Sequence, residues 1–437
     1  MPWIVVLLFA PVVGLLFYFF FGQNLSKRRI LSRRMRKRIH MQLLEAGPDE
    51  RKKLPAQYRP LARLLGNAGH SIPLCGSRIT PYVDGASKME ALLGDIAAAH
   101  DHIHLQYYIL NDDTTGLRLR NALMAKAREG VEIRILYDDV GSSSVHKRFF
   151  EEMRRAGIEV RPFLHVKFPL FTSKVNYRNH RKIAVIDGRT GYIGGMNIAD
   201  RYVVGTDWGT WRDTHFRVEG PGVAGLQASF LSDWAATTRI RLRDEHYYPR
   251  TERFTHNIMQ VLPSGPFGKW RTLLQADSYA IANARRRIWI ETPYFLPSDV
   301  LNTALQTAAL AGIDVRLLLP ARSDSRVVDL ATHSFLDDML KAGAKVYFYQ
   351  PGFLHSKLLL IDDGLSVIGS ANMDFRSFEH NFEINAFVYD GDFAAVMADI
   401  FRRDMEQSRL VTPGEWFHRP RSRRFAESLM RLFSPLL

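Results

Sequence analysis

The chain has 437 residues, 46% of them hydrophobic and 24% charged, with a formal net charge of +14. That is apolar material for two domain-sized cores, and it excludes a disordered or fibrous chain. A single cysteine, Cys75, excludes an internal disulfide framework and cysteine-rich metal sites, and suits a reducing compartment.

The first element is an apolar run. Trp3 to Phe21 carries no charge and, as a helix, is long enough to cross a bilayer core. A cleaved signal peptide would place its positive charges before such a run. Here Lys27, Arg28, Arg29, Arg33, Arg34, Arg36, Lys37 and Arg38 follow it, with no acidic residue before Glu45. By the positive-inside rule this predicts a single-pass anchor in the cell membrane, N-terminus outside, with everything downstream cytoplasmic. The eight cations would face anionic lipid headgroups. Set aside, they leave a charge that needs only a solvated basic surface, so no nucleic-acid partner is required. We read residues 1–40 as anchor and basic segment, and 41–80 as a linker.

Beyond residue 80, β-rich runs alternate with helical patterns. Ile103 to Tyr108 reads as a strand, Gly116 to Glu129 as a helix and Val131 to Leu136 as a strand. The order recurs with a strand from Ile288, a helix over Ser298 to Ala311 and a strand over Gly312 to Leu318. Each half then has a helix ending at Gly157 or Gly343, followed by another strand. The expectation is an α/β fold: two pseudo-symmetric α/β repeats with mixed sheets packed together, over 81–245 and 246–418, plus the N-terminal transmembrane helix. The halves differ between Gly157 and His180, where the first has an insertion carrying Phe163, Val166, Phe168, Leu170 and Phe171 with Lys167, Lys174 and Arg178. It suits an interfacial loop or a longer core-covering loop.

Within the repeats one passage is written twice. His180, Lys182, Asp187, Gly194, Gly195 and Asn197 recur at identical spacing as His355, Lys357, Asp362, Gly369, Ser370 and Asn372. One lone histidine on an apolar strand is ordinarily structural; the duplication with its flanking Lys, Asp and Asn reverses that reading. On a strand, His and Lys two apart share a face, while Ile183, Val185, Leu358 and Leu360 turn the other way into the core. Glycines and serine at 194, 195, 369 and 370 would let backbone approach a ligand, with Asn197 and Asn372 as amide donors. Two His, two Lys and two Asn converging on one point make a donor-rich cationic pocket for a phosphoryl group. Protonated lysines disfavour a metal there, and no Walker-type loop occurs. What remains is a metal-free, cofactor-free phosphodiester site, one histidine acting as nucleophile and the other as general acid and base.

Each imidazole then needs an acidic orienter. Asp213 and Glu383 fall at the same phase of two later strands and are the proposed orienters, while Asp187 and Asp362 suit turns or basic neighbours, although as motif members both count among the catalytic candidates.

The duplicated H-x-K-x4-D-x6-G-[GS]-x-N resembles the signature of phospholipase D-like proteins, across nearly the whole chain. It is most similar to bacterial cardiolipin synthases, through Asn179 to Lys182, Gly194 to Asp200, Trp211 to His215, Pro263 to Pro266 and Gly369 to Ser377. Many such synthases have two N-terminal spans; this sequence has one. The resemblance implies catalytic His180, Lys182, Asp187, His355, Lys357 and Asp362, with Lys182, Asn197, Lys357 and Asn372 on the substrate phosphate. It implies transphosphatidylation: one phosphatidylglycerol forms a phosphatidyl-histidine and releases glycerol, then a second takes the phosphatidyl group to give cardiolipin. By analogy His180 is the nucleophile and His355 the acid/base.

The last stretch, 419–437, places Phe425, Leu429, Leu432 and Phe433 on one helical face among arginines, which suits either the headgroup layer or a docked terminal helix. The enzymatic rival is a hydrolase of the same superfamily, a phospholipase D or a nuclease, with water as acceptor. A non-enzymatic scaffold for anionic lipids would need no histidine pair.

Overall fold

The computed structural model describes residues 11–17, 49–165, 176–242 and 245–436. In the first repeat the strands are β1 (Arg78–Tyr82), β2 (His102–Tyr107), β3 (Glu132–Asp138), β4 (Glu159–Phe163), β5 (Ile183–Ile186), β6 (Thr190–Gly194) and β7 (His215–Glu219). They line up as β1-β7-β6-β5-β2-β3-β4. The second repeat has β8 (Ile258–Ser264), β9 (Arg287–Glu291), β10 (Asp314–Pro320), β11 (Lys345–Tyr349), β12 (Leu358–Ile361), β13 (Leu365–Gly369) and β14 (Glu383–Tyr389). Their order, β8-β14-β13-β12-β9-β10-β11, is the same permutation, with Pro73–Cys75 and Ser408–Leu410 added at the two edges. β2, β3 and β4 run parallel, as do β9, β10 and β11, and the strands that follow each motif pair antiparallel. Both sheets are therefore mixed, as expected.

The helices used below are α1 (Val223–Thr238), α2 (Arg326–Lys341), α3 (Gly391–Glu406) and α4 (Arg421–Arg431). Alternation along β5 explains why the repeats adhere. Ile183 and Val185 meet Leu358, Leu360, Ile368 and Ile384 between the two sheets, while Ala184 and Ile186 face the first repeat's own helices. Ile183, Val185, Leu358 and Leu360 are at most 2% exposed, so parting the repeats would uncover roughly 1.5–3 kcal/mol of hydrophobic burial at each.

The segment read as a linker is folded from Asp49 on. Leu61 and Leu65, one helical turn apart, bury helix Arg59–Gly69 against helix Thr272–Ala282 and β8. Pro73–Cys75 then pairs antiparallel with β8, and β1 crosses to the first sheet. The chain thus lays down an edge strand of its second sheet before beginning its first.

Among the described residues no helix is long and apolar enough to cross a membrane. Helix Pro11–Phe17 falls inside the apolar run; the rest of that run and the basic segment lie outside the described residues. So do residues 166–175 of the insertion. Its two flanks are core: Phe163 packs edge-on against Phe382 at 4.9 Å, and buried Arg178 pairs with Asp138 at 3.2 Å.

At the C-terminus α4 lies on α2 and is held by polar contacts. Its Glu427, 2% exposed, accepts hydrogen bonds from Arg419 at 2.7 Å and Arg423 at 3.2 Å. The apolar face points outward, with Phe425 71% and Leu432 75% exposed.

Candidate active site

Both motif copies gather where β2 and β3, and β9 and β10, end at their carboxyl sides, the edge at which open α/β sheets bind ligands. His180 and Lys182 sit just ahead of β5, and His355 and Lys357 just ahead of β12, in extended backbone rather than in the sheets. That backbone is stitched to the opposite repeat. The His180 amide donates to the Phe382 carbonyl at 2.9 Å and the Phe382 amide to Arg178 at 2.8 Å. Likewise Gly352–Leu354 pairs in parallel with Thr210–Arg212, and the His355 amide donates to Arg212 at 2.6 Å.

Each stitch delivers an acid from one half to the histidine of the other. His180 Nδ1 lies 3.1 Å from the Glu383 carboxylate, and His355 Nδ1 lies 2.6 Å from Asp213 Oδ2. With Nδ1–H donated to a carboxylate, the hydrogen-bond network assigns the tautomer that leaves Nε2 free to attack or to carry a proton. Asp213 and Glu383 thus occupy the orienting positions, with the pairs crossed between repeats.

The motif glycines lie directly against the segments that carry the acids. A Cβ at residue 195 would lie 2.1 Å from Asp213 Oδ1, and one at residue 369 would lie 2.1 Å from the Ile384 carbonyl. At the position matching Gly195, Ser370 donates from its hydroxyl to Glu383 Oε2 at 2.5 Å.

Lys182 and Lys357 are buried and donate to the carbonyls of His180 and His355, with the Lys357 ammonium 2.8 Å from His355 Nδ1. Burial pulls the Lys182 ammonium well below its usual range against the opposing charge of Glu383, and pulls Lys357 down to about 8 against that of Asp213. His180 is lowered by burial, which outweighs Glu383; His355 is lowered further, by burial and then by Lys357 and Lys182. Burial lifts Asp213 to about 6 despite Lys357, whereas for Glu383 the charges of His180 and Lys182 outweigh burial and hold it low. The pocket therefore holds neutral imidazoles beside depressed lysines. An arriving phosphodiester anion would restore positive charge to these groups and with it the proton an acid needs.

Other candidates fall elsewhere. Asp187, with φ 51°, accepts the amides of His100, Asp101 and His102 at 2.9–3.0 Å, and Asp362, with φ 52°, accepts those of Arg285, Arg286 and Arg287. Both close turns seven residues along the chain from their histidines, roughly 23 Å of extended backbone. They take the turn-holding place that the sequence offered beside the catalytic one. Asp187→Asn should lower stability by about 1–3 kcal/mol and leave kcat within about twofold, compared by thermal unfolding and steady-state turnover of one preparation. The asparagine amides are likewise engaged: Asn197 Nδ2 donates to Tyr202 at 2.6 Å and Asn372 Nδ2 to Asp374 at 3.0 Å.

Sequence reasoning missed two buried arginine clamps. Arg181 donates to the Glu383 carbonyl at 3.0 Å and pairs with Asp233 on α1. Arg212 donates to the Asp213 carbonyl at 2.8 Å and pairs with Asp404 on α3. Asp233 and Asp404 are lone acids on otherwise buried helix faces, the one signal the sequence offered.

The clamps also account for the Gln106 and Glu291 mismatch. Gln106 Nε2 donates to Asp233 Oδ2 at 2.6 Å, while Glu291 takes the equivalent place beside Asp404, 3.8 Å from Arg212. Burial and then the Asp404 charge push Glu291 up to about 8, so at neutral pH it is a protonated acid shaped like the amide. The folded state keeps a proton that the unfolded chain has released above about pH 4.3, so stability from this group falls as pH rises toward 8. Glu291→Gln should remain active, and its Tm should gain on the parent between about pH 5 and 8 and no further beyond.

The family described as "Cardiolipin synthase, PLD-like domain" matches residues 92–234 and 279–405. The major cardiolipin synthase ClsA of Bacillus subtilis is 40% identical over 447 aligned positions, covering 100% of this chain and 93% of that protein. A cardiolipin synthase of Geobacillus kaustophilus is 40% identical over 442 positions, covering 100% and 88%. The fold is also similar to that of a phosphatidylserine synthase from Haemophilus influenzae, with TM-score 0.65, 14% identity, and 86% and 97% of the two chains covered.

Proposed function

The chain belongs to the cardiolipin synthases of the phospholipase D-like family, and from that premise we propose how its residues carry phosphatidyl transfer. It is a phosphatidyltransferase of the phospholipase D type. His180 Nε2 attacks the phosphorus of one phosphatidylglycerol. His355 protonates the departing glycerol oxygen, and Lys182 and Lys357 neutralise the equatorial oxygens. Glu383 stabilises the imidazolium of His180, and Asp213 that of His355. A second phosphatidylglycerol then gives its hydroxyl proton to His355 and its oxygen to phosphorus, releasing His180 and yielding cardiolipin. The crossed His–acid pairs beside two buried lysines carry this reading.

The apolar run at Trp3 to Phe21 and the eight cations after it support a single-pass anchor in the cell membrane, with repeats 81–245 and 246–418 on the cytoplasmic side. The outward Phe425 and Leu429 of α4, with Leu432 just beyond it, support contact with the headgroup layer by the segment 419–437. No step calls for a metal, a cofactor or a nucleic acid.

The test is lipid turnover in detergent–lipid micelles with labelled phosphatidylglycerol. Cardiolipin and glycerol, both lost in His180→Ala, are expected; phosphatidic acid with glycerol and no cardiolipin would make water the acceptor.

A further inference from the structure

Each motif copy runs on to an arginine four residues past its asparagine, Arg201 after Asn197 and Arg376 after Asn372. The buried arginines of the pocket are all committed to acids: Arg178 to Asp138, Arg181 to Asp233, Arg212 to Asp404. Arg201 and Arg376 make no ion pair among the described residues. The acids nearest them in sequence are occupied otherwise. Asp200 accepts the amides of Thr114 and Thr115 at 3.2 and 2.7 Å, and Asp374 accepts from the Ser377 amide at 2.7 Å and Asn372 Nδ2 at 3.0 Å.

The two arginines flank different histidines. Arg201 is exposed and lies over the rings of Trp211 at 5.0 Å and Tyr202 at 5.5 Å, and those rings stand 5.4 and 5.9 Å from His355. Its charge also contributes to the lowering of His355. Arg376 is on the His180 side: its carbonyl accepts the His380 and Asn381 amides at 2.9 Å, directly before Phe382, whose own carbonyl accepts the His180 amide at 2.9 Å.

We propose that Arg201 binds the phosphate of the acceptor lipid. The inference rests on phosphatidyl transfer with His355 as acid and base. In the second half-reaction the acceptor hydroxyl loses its proton to His355 Nε2, its oxygen bonds to phosphorus, and the P–N bond to His180 breaks with its electron pair returning to nitrogen. The acceptor must enter where the first glycerol left, on the His355 side. A phosphatidylglycerol in that position carries a second phosphate at the far end of its headgroup glycerol. Lys182 and Lys357 are engaged with the phosphoryl group in transfer, so this second anion needs a cation of its own. An unpaired guanidinium beside His355, stiffened by Trp211, matches a phosphate's bidentate geometry. Water and free glycerol have no such phosphate, so Arg201 would favour a lipid acceptor over both.

The test uses the full chain in detergent–lipid micelles with labelled phosphatidylglycerol. Cardiolipin formation is measured beside incorporation of isotopically labelled free glycerol into phosphatidylglycerol, which needs the same histidines but no acceptor phosphate. Arg201→Gln should cut cardiolipin formation by about tenfold to a hundredfold, the loss for one charge-assisted anion contact, with glycerol exchange within about threefold. Arg201→Lys should recover part of the difference, and Arg376→Gln should shift both rates by the same factor. Equal loss of both rates in Arg201→Gln, or selective loss of cardiolipin in Arg376→Gln instead, overturns the assignment. Absence of any turnover by the parent chain would instead remove the transferase reading.

Discussion

A His355→Asn chain given labelled phosphatidylglycerol should stall with the phosphatidyl label on His180. Without His355 the second lipid's hydroxyl keeps its proton and the intermediate outlives its normal turnover, while the first step survives at a reduced rate because its leaving oxygen is no longer protonated. Overall cardiolipin formation should fall about 10³–10⁴-fold, in the range expected when a positioned acid/base or nucleophile is removed. Acid quenching, proteolysis and mapping of the labelled peptide would place the modification at residue 180. His180→Asn should give no covalent label at all. Label at residue 355 in His180→Asn, with none at 180 in the converse variant, would reverse the roles.

Asp213→Asn and Glu383→Gln should each be nearly as damaging, at about 10²–10⁴-fold in kcat, because an amide no longer stabilises the imidazolium and can impose the wrong tautomer. The pairs are crossed, so each substitution in one repeat disables the histidine of the other. The two acids separate by pH. Asp213 titrates near 6, so activity that depends on its carboxylate should fall as pH drops through about 6. That limb should vanish from the residual activity of Asp213→Asn. Glu383 is held low and should contribute no limb in that range. A limb near pH 6 that survives in Asp213→Asn would show that another group controls the reaction.

Much of this site was legible before any fold was known, because duplication wrote it twice. His180 and His355, the two lysines, and the phase relation of Asp213 to Glu383 all follow from matched spacing. The crossing did not, since it depends on how two half-structures dock. Nor did Arg181, which the spacing passes over as a variable position and whose partner Asp233 is 52 residues away. Asp187 and Asp362 entered the catalytic candidates through matched spacing, and spacing reflects turn geometry as faithfully as chemistry. Both sit at positive φ and gather three backbone amides. The same turn follows the same strand in each half. The helix at Arg59–Gly69 was passed over because its short apolar stripe precedes the strand–helix alternation that signals the repeats.

The exchange of partners across the pseudo-two-fold means that neither copy retains a working centre. Separated, residues 81–245 would hold a histidine without its acid and an acid without its histidine, and so would 246–418. The crossing couples docking to chemistry. Any opening between the sheets would part both imidazoles from their acids at once.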